Sequence, residues 1–189
     1  MLKNILSLDT ELFIYLNSLG SEMYDSFWLF ITKQSHWTPF FLVLLYFVYK
    51  KIGFKQTFLV LLFVIFLLTI TDQITNLFKY TFQRLRPCNN LAIKPLIRIV
   101  KSSDTFSFFS GHAANSMATM TFLFLILRKY YRFAFLLFLF PLIFAYSRIY
   151  LGLHYPIDIL VGYGVGFFFG YVFYKGYLGL KKLKNSRNT

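Results

Sequence analysis

Residues 58–70, FLVLLFVIFLLTI, run without a single charged side chain. With their flanks from Lys55 to Lys79 they are long enough to cross a hydrocarbon layer, which takes roughly 17 to 25 helical residues. The same kind of block recurs at Phe40–Tyr49, Met117–Leu127, Phe133–Ala145 and Ile159–Phe173. Hydrophobic residues make up 57% of the chain and charged residues only 14%, a balance that suits lipid better than water.

These blocks predict five membrane spans: Pro39–Lys50, Lys55–Lys79, His112–Leu127, Phe133–Arg148 and Pro156–Lys175. Ahead of them, Leu8–Leu19 and Met23–Ile31 are shorter and interrupted by charge or by Asn17. They read as N-terminal interfacial amphipathic helices, and a sixth span drawn from this region is the alternative. The expected fold is all-α, one integral membrane helical bundle over residues 1–189. Asp9 and Glu11 within the first apolar stretch argue against a cleavable signal peptide. Gly162, Gly166 and Gly170 recur every fourth residue and predict a smooth stripe for close helix packing.

The net charge of +13 does not point to nucleic acid, because the Lys and Arg residues cluster between and beside the apolar blocks. Lys50, Lys51 and Lys55 flank one connection, and Arg128, Lys129 and Arg132 another. Lys181, Lys182, Lys184 and Arg187 end the chain. With five spans all three groups share one side, expected to be the cytoplasmic face of the inner membrane. The segments Tyr80–Gly111 and Ile149–Tyr155 then lie together on the outer face. The outer loop is itself basic, with Arg84, Arg86, Lys94, Arg98 and Lys101, and anion binding would account for that departure from the usual rule. The lone Cys88 provides no thiol pair, and it reads as an inert thiol.

Polar residues gather at the outward ends of the spans. Lys79 precedes Arg86-Pro87 by seven residues, Ser110-Gly111-His112 opens the third span, and Ser147-Arg148 closes the fourth. His154 and Asp158 bracket the start of the fifth. Lys79, Arg86 and Arg148 would repel one another unless an anion lay between them, and a phosphate suits both the Arg fork and the compact Lys charge. Ser110 and Gly111 stand where a loop enters a helix, so backbone N–H groups and a hydroxyl can meet the same oxygens. The four-residue step from His154 to Asp158 lets a carboxylate hold one ring nitrogen and leave the other free to attack phosphorus. His112, on another helix, can protonate the leaving oxygen.

Arranged as Lys79-x6-Arg86-Pro87, Phe109-Ser110-Gly111-His112 and Ser147-Arg148-x5-His154-x3-Asp158, the chain resembles the type 2 phosphatidic acid phosphatase superfamily over residues 79–158. The resemblance implies metal-independent hydrolysis of a lipid phosphate through a phosphohistidine, with no cofactor. It implies His154 as nucleophile, His112 as acid, Asp158 as support, and Lys79, Arg86, Arg148, Ser110 and Gly111 as phosphate ligands. Phe109 stands where the family has proline and is expected to loosen the turn before Ser110. Ser147 is read as packing, and Asp72, seven residues before Lys79, as a structural partner of a basic side chain.

Three rival readings stand beside this one. A metal hydrolase using His112, His154 and Asp158 is disfavoured by the three cations around them. An anion channel is disfavoured by the apolar stretches below, and a soluble relative holding vanadate by the spans themselves. The expected partners are the bilayer and a lipid phosphate or diphosphate. Loop charge favours undecaprenyl diphosphate, with lipid A, phosphatidylglycerophosphate and phosphatidic acid as alternatives. The sequence sets no oligomeric state.

Overall fold

The computed structural model describes residues 2–186, and among them regular structure is helical throughout. Arg187 and the side chain of Lys184 lie outside the described residues. Two N-terminal helices, α1 (Leu2–Ser18) and α2 (Asp25–Thr32), precede the bundle. They are followed by α3 (Thr38–Phe82), α4 (Gly111–Leu127), α5 (Leu139–Tyr150) and α6 (Pro156–Ser186).

The first two expected spans are both in α3. What separates them is a break at Gly53, whose φ of 74° lies in the left-handed region that glycine enters without a Cβ clash. The two arms flank one cleft, with Leu44 and Val48 on the first and Val60 and Val64 on the second. The fourth expected span starts at Phe133, but Ala134–Phe138 form a 3₁₀ turn before α5. Pro141 is tolerated in the first turn of α5, where its missing N–H would have had no intrahelical partner. α6 runs well past its expected end at Lys175.

Two stretches, Gln34–Asn89 and Pro156–Leu183, are individually long and apolar enough to cross a membrane, and α4 and the α5 region are shorter apolar helices. The outer surface is rich in Phe58, Ile65, Phe66, Leu160, Phe167 and Phe168, all exposed, as a lipid-facing surface requires.

α4 is the axis of the bundle. Its residues from Ala113 to Leu127 are mostly buried, and Met120, Phe122, Leu123 and Ile126 join Val60, Leu67 and Phe140 in the main apolar cluster. α6 lies directly against it along the predicted glycine stripe. A Cβ on Gly162 would meet the Ser110 carbonyl oxygen at 2.7 Å, and one on Gly170 would meet the Ala118 oxygen at 2.6 Å, so only glycine permits this approach. Close packing of α6 on α4 sets the start of α6 beside the start of α4.

α1 and α2 are more than surface helices. Asn17 is fully buried and donates to the carbonyls of Ile149 and Tyr150 at 3.1 and 3.0 Å, satisfying the exposed C-terminal end of α5. Its Oδ1 accepts the Arg98 N–H at 2.7 Å. Asp25 pairs with Arg98 at 3.0 Å and accepts the Tyr150 hydroxyl at 2.7 Å. The N-terminal helices therefore clamp the loop between α3 and α4 onto the bundle.

Candidate active site

The site is organised by the start of α6. Pro156 takes the first helical position, where its fixed φ fits and its missing N–H costs nothing. Asp158 turns back so that Oδ2 accepts the Tyr155 N–H at 3.0 Å, half of a capping box. That oxygen also accepts the Ser107 hydroxyl and lies 3.5 Å from His154 Nδ1. Oδ1 meets Arg84 Nη1 at 2.7 Å. The cap thus immobilises the carboxylate that faces the histidine.

His154 sits in the α5–α6 loop, held by a turn in which Leu153 and His154 both donate to the Arg148 carbonyl, at 2.9 and 3.3 Å. Gly152, with φ of 83°, makes that turn possible. The other ring nitrogen, Nε2, lies 3.2 Å from Arg86 Nη1. A guanidinium only donates, so Nε2 carries the lone pair and the proton resides on Nδ1, toward Asp158 and Ser107. The ring is fully buried. Burial, opposed by Asp158 but reinforced by Arg86 and Arg148, pulls its pKa down to about 3 and keeps it neutral.

Arg86 is fixed by Nε to the Thr105 carbonyl at 2.8 Å, Nη2 to the Thr105 hydroxyl at 2.7 Å, and Nη1 to the Leu153 carbonyl at 3.1 Å. Arg148 is buried, with Nη1 donating to Thr32 Oγ1 at 2.6 Å. Its Nε has no protein acceptor. A buried guanidinium N–H without an acceptor fits an anion oxygen. Lys79, near the end of α3, is in electrostatic reach of both arginines. His112, on the first turn of α4, is in reach of Arg148, His154 and Lys79, and its ring stacks on Phe144 at 4.9 Å. The predicted residues on four separate elements therefore converge.

Ser110 and Gly111 are placed somewhat differently from expectation. Ser110 is the N-cap of α4, its Oγ accepting the Ala113 N–H at 3.4 Å. Its own N–H is occupied by the Asp158 carbonyl at 3.0 Å, so Ser110 can reach an anion only through its hydroxyl proton. A Cβ on Gly111 would press on Thr75 Cγ2 at 3.3 Å. Phe109 does not leave the turn loose: it is fully buried, with its ring 5.4 Å from that of Phe78. Ser147 donates to the Phe144 carbonyl at 2.6 Å, a packing role.

Sequence reasoning gave no site role to Asp9, Ser107, Thr105 or Thr32, and it read Arg84 only as part of the basic loop. Arg84 joins Asp158 to Asp9 of α1, which also caps α6 by accepting the Ile157 N–H at 2.9 Å. Arg84 and Arg98 were expected to serve anion binding as part of the basic loop. Instead they are paired with Asp9, Asp158 and Asp25. Acidic residues within an otherwise amphipathic N-terminal helix were the available signal. Ser107 and Thr105 left none.

Comparison with known proteins shows the family. The PAP2 superfamily profile matches residues 57–181. The chain is 33% identical over 178 residues to lipid A 4'-phosphatase of Bacteroides thetaiotaomicron, covering 92% of this chain and 79% of that one. It is 29% identical over 178 residues to lipid A 4'-phosphatase of Porphyromonas gingivalis, covering 92% and 75%. In structure it resembles the transmembrane PAP2-type phosphatidylglycerolphosphate phosphatase of Bacillus subtilis, with a TM-score of 0.70 at 19% identity over 92% of this chain and 86% of that one. It also resembles Aquifex aeolicus LpxE, with a TM-score of 0.65 at 23% identity over 89% and 95%. A profile spanning most of the chain, its signature residues meeting at one buried site, means that this protein belongs to the PAP2 superfamily.

Proposed function

We propose that this PAP2-type lipid phosphatase removes a phosphate monoester from a lipid A-like glycolipid at the outer face of the cytoplasmic membrane, with five crossings made by the two arms of α3, by α4, by the α5 region and by α6. The observation that carries the chemistry is His154 held with Nδ1 toward Asp158 and its lone-pair Nε2 toward Arg86.

Nε2 attacks phosphorus, the P–O bond to the lipid breaks, and protonated His112 gives its proton to the departing oxygen. Arg86, Arg148 and Lys79 hold the phosphoryl oxygens, with the Ser110 hydroxyl as a further donor. Asp158 steadies the imidazolium as positive charge grows on His154. Water then gives a proton to His112 and attacks the phosphohistidine, the P–N bond breaks, and phosphate leaves. No metal is needed, because three cations already neutralise the phosphoryl charge and would repel a divalent ion.

Undecaprenyl diphosphate, the substrate favoured by loop charge, gives way to the lipid A type. The charge argument weakens once Arg84 and Arg98 are paired internally, and the two sequence relatives above are lipid A 4'-phosphatases. An anion pathway has no support below the site, where Met120, Phe122, Leu123, Leu125 and Ile126 are buried among apolar neighbours.

The test is phosphate release by purified protein from lipid A, undecaprenyl diphosphate, phosphatidylglycerophosphate and phosphatidic acid, with His154→Ala as the blank. Lipid A should be the preferred substrate and activity should survive exhaustive chelation. Preference for another lipid would overturn the substrate, and release by the blank would overturn the nucleophile.

A further inference from the structure

Beside the phosphate site a cleft of about 680 Å³ opens between the two arms of α3, α4 and α5. Most of its wall is apolar, including Leu42, Leu45, Val60, Leu61, Val64 and Leu68, as an acyl chain requires. One end is different. Thr38, Asp72, Asn115 and Ser116 line it, next to the Phe144 ring on which His112 stacks. Asn115 and Ser116 follow His112 by three and four residues, and Asp72 precedes Lys79 by seven. At 1.5 Å per helical residue the polar end lies about 5 to 10 Å below the phosphate ligands. That is the depth of the first atoms of a lipid chain whose phosphate is bound.

The hydroxyls and the carboxylate at this end present lone pairs, while the amides of Gln34 and Asn115 can both donate and accept. The hydroxyls of Ser116, Thr119 and Thr38 donate their protons to the carbonyls of His112, Asn115 and Ser35, at 2.6, 2.9 and 2.8 Å, leaving only lone pairs. Asp72 makes no direct ion pair among the described residues, although it is in electrostatic reach of Lys79, the basic side chain its spacing pointed to. Its one hydrogen bond is a long one from Asn76, 3.4 Å to Oδ2. Asn115 Oδ1 is buried without a partner. An exposed carboxylate that lines the cleft without a direct cation contact keeps lone pairs free for a ligand's donor.

We propose that Asp72, with Asn115, Ser116 and Thr119, forms an acceptor ledge that selects lipid phosphates carrying N–H or O–H donors close to the head group. Amide-linked and hydroxylated acyl chains have such donors. Ester-linked diacylglycerol phosphates and polyprenyl phosphates have none on their chains. The inference rests on the function proposed above and sharpens it from a head group to a linkage chemistry.

The experiment compares ceramide 1-phosphate, which offers an amide N–H and a hydroxyl, with phosphatidic acid of matched chain length in the same mixed micelles. The native protein should favour ceramide 1-phosphate in kcat/KM by roughly tenfold, about what one charge-assisted hydrogen bond supplies. Asp72→Leu should bring that ratio close to one, mainly through KM, and Asp72→Asn, which keeps an acceptor oxygen, should retain part of it. Because the readout is a ratio within one preparation, partial misfolding cancels. An unchanged ratio in Asp72→Leu, or no preference in the native protein, overturns the ledge. Binding of the two lipids is measured in parallel in the His154→Ala background. Preferential binding without phosphate release from either by the native protein counts against the hydrolytic function and supports the ledge, whereas equal or absent binding overturns it.

Discussion

Arg84 meets Asp158 at 2.7 Å and, with its other terminal nitrogen, Asp9 of the N-terminal helix, also at 2.7 Å. The guanidinium lies over the Tyr155 ring at 3.9 Å, so its position is set from three directions. Both carboxylates are completely buried, and Arg84 is the cation that keeps them together. Replacing it with Met would leave two like charges without compensation, which costs roughly 3 to 5 kcal/mol when a buried pair is broken. Arg84→Met should therefore unfold at a markedly lower temperature in detergent and lose most of its activity. Arg84→Lys, a single point charge, should be intermediate, because it cannot fork to both carboxylates. Wild-type stability in Arg84→Met would show that the bridge contributes nothing.

The two histidines should separate in a trapping experiment. His112→Asn removes the proton donor and the base that activates water, so turnover should fall by roughly 10² to 10⁴. A substrate labelled in its phosphate should then leave acid-labile label on the protein. His154→Ala should carry none. Label that persists in His154→Ala would place the nucleophile elsewhere.

Much of this site was legible because the chemistry imposes fixed spacings. His154 and Asp158 are four residues apart across a helix start, and Lys79 and Arg86 close one helix end, so their convergence follows once the spans are drawn. The glycine stripe was legible for the same reason, since a four-residue repeat is a helix face. The role of α1 was not. Asp9 and Arg84 are 75 residues apart, and the acidic residues of α1, the one local signal, do not say which distant cation they meet. The donor role of Ser107 toward Asp158 depends on how an irregular loop folds, for which sequence periodicity holds no information. The break at Gly53 was visible only as a gap between apolar blocks, because helix pattern does not distinguish a loop from one residue of positive φ.

Acid should destabilise the fold in part through His154. Its folded pKa of about 3, lowered chiefly by burial, lies below the unfolded value of about 6.5. The unfolded chain therefore binds a proton that the native chain refuses, and stability present above pH 6.5 falls as pH drops toward 3. A melting-temperature series from pH 7 to pH 4 should decline more steeply for the native protein than for His154→Gln, which has no proton to take up. Parallel curves would mean that His154 does not titrate differently in the two states.

The contact between α4 and α6 gives the last test, one that separates packing from chemistry. A Cβ on Gly166 would lie 2.9 Å from the Ala118 nitrogen and 3.0 Å from Met117 Cβ, and the first of these is backbone that cannot rotate away. A Cβ on Gly164, two residues earlier on the same helix, would meet nothing within 4 Å. Gly166→Val should push the helices apart and cost about 1 to 3 kcal/mol, read as a fall in melting temperature. Because the start of α6 carries Asp158 toward His154, the same variant should lose activity even at temperatures where it remains folded. Gly164→Ala should match the native protein in both respects, or gain slightly from better helix propensity. Equal behaviour of the two variants would mean that close approach of α6 to α4 does not position the site.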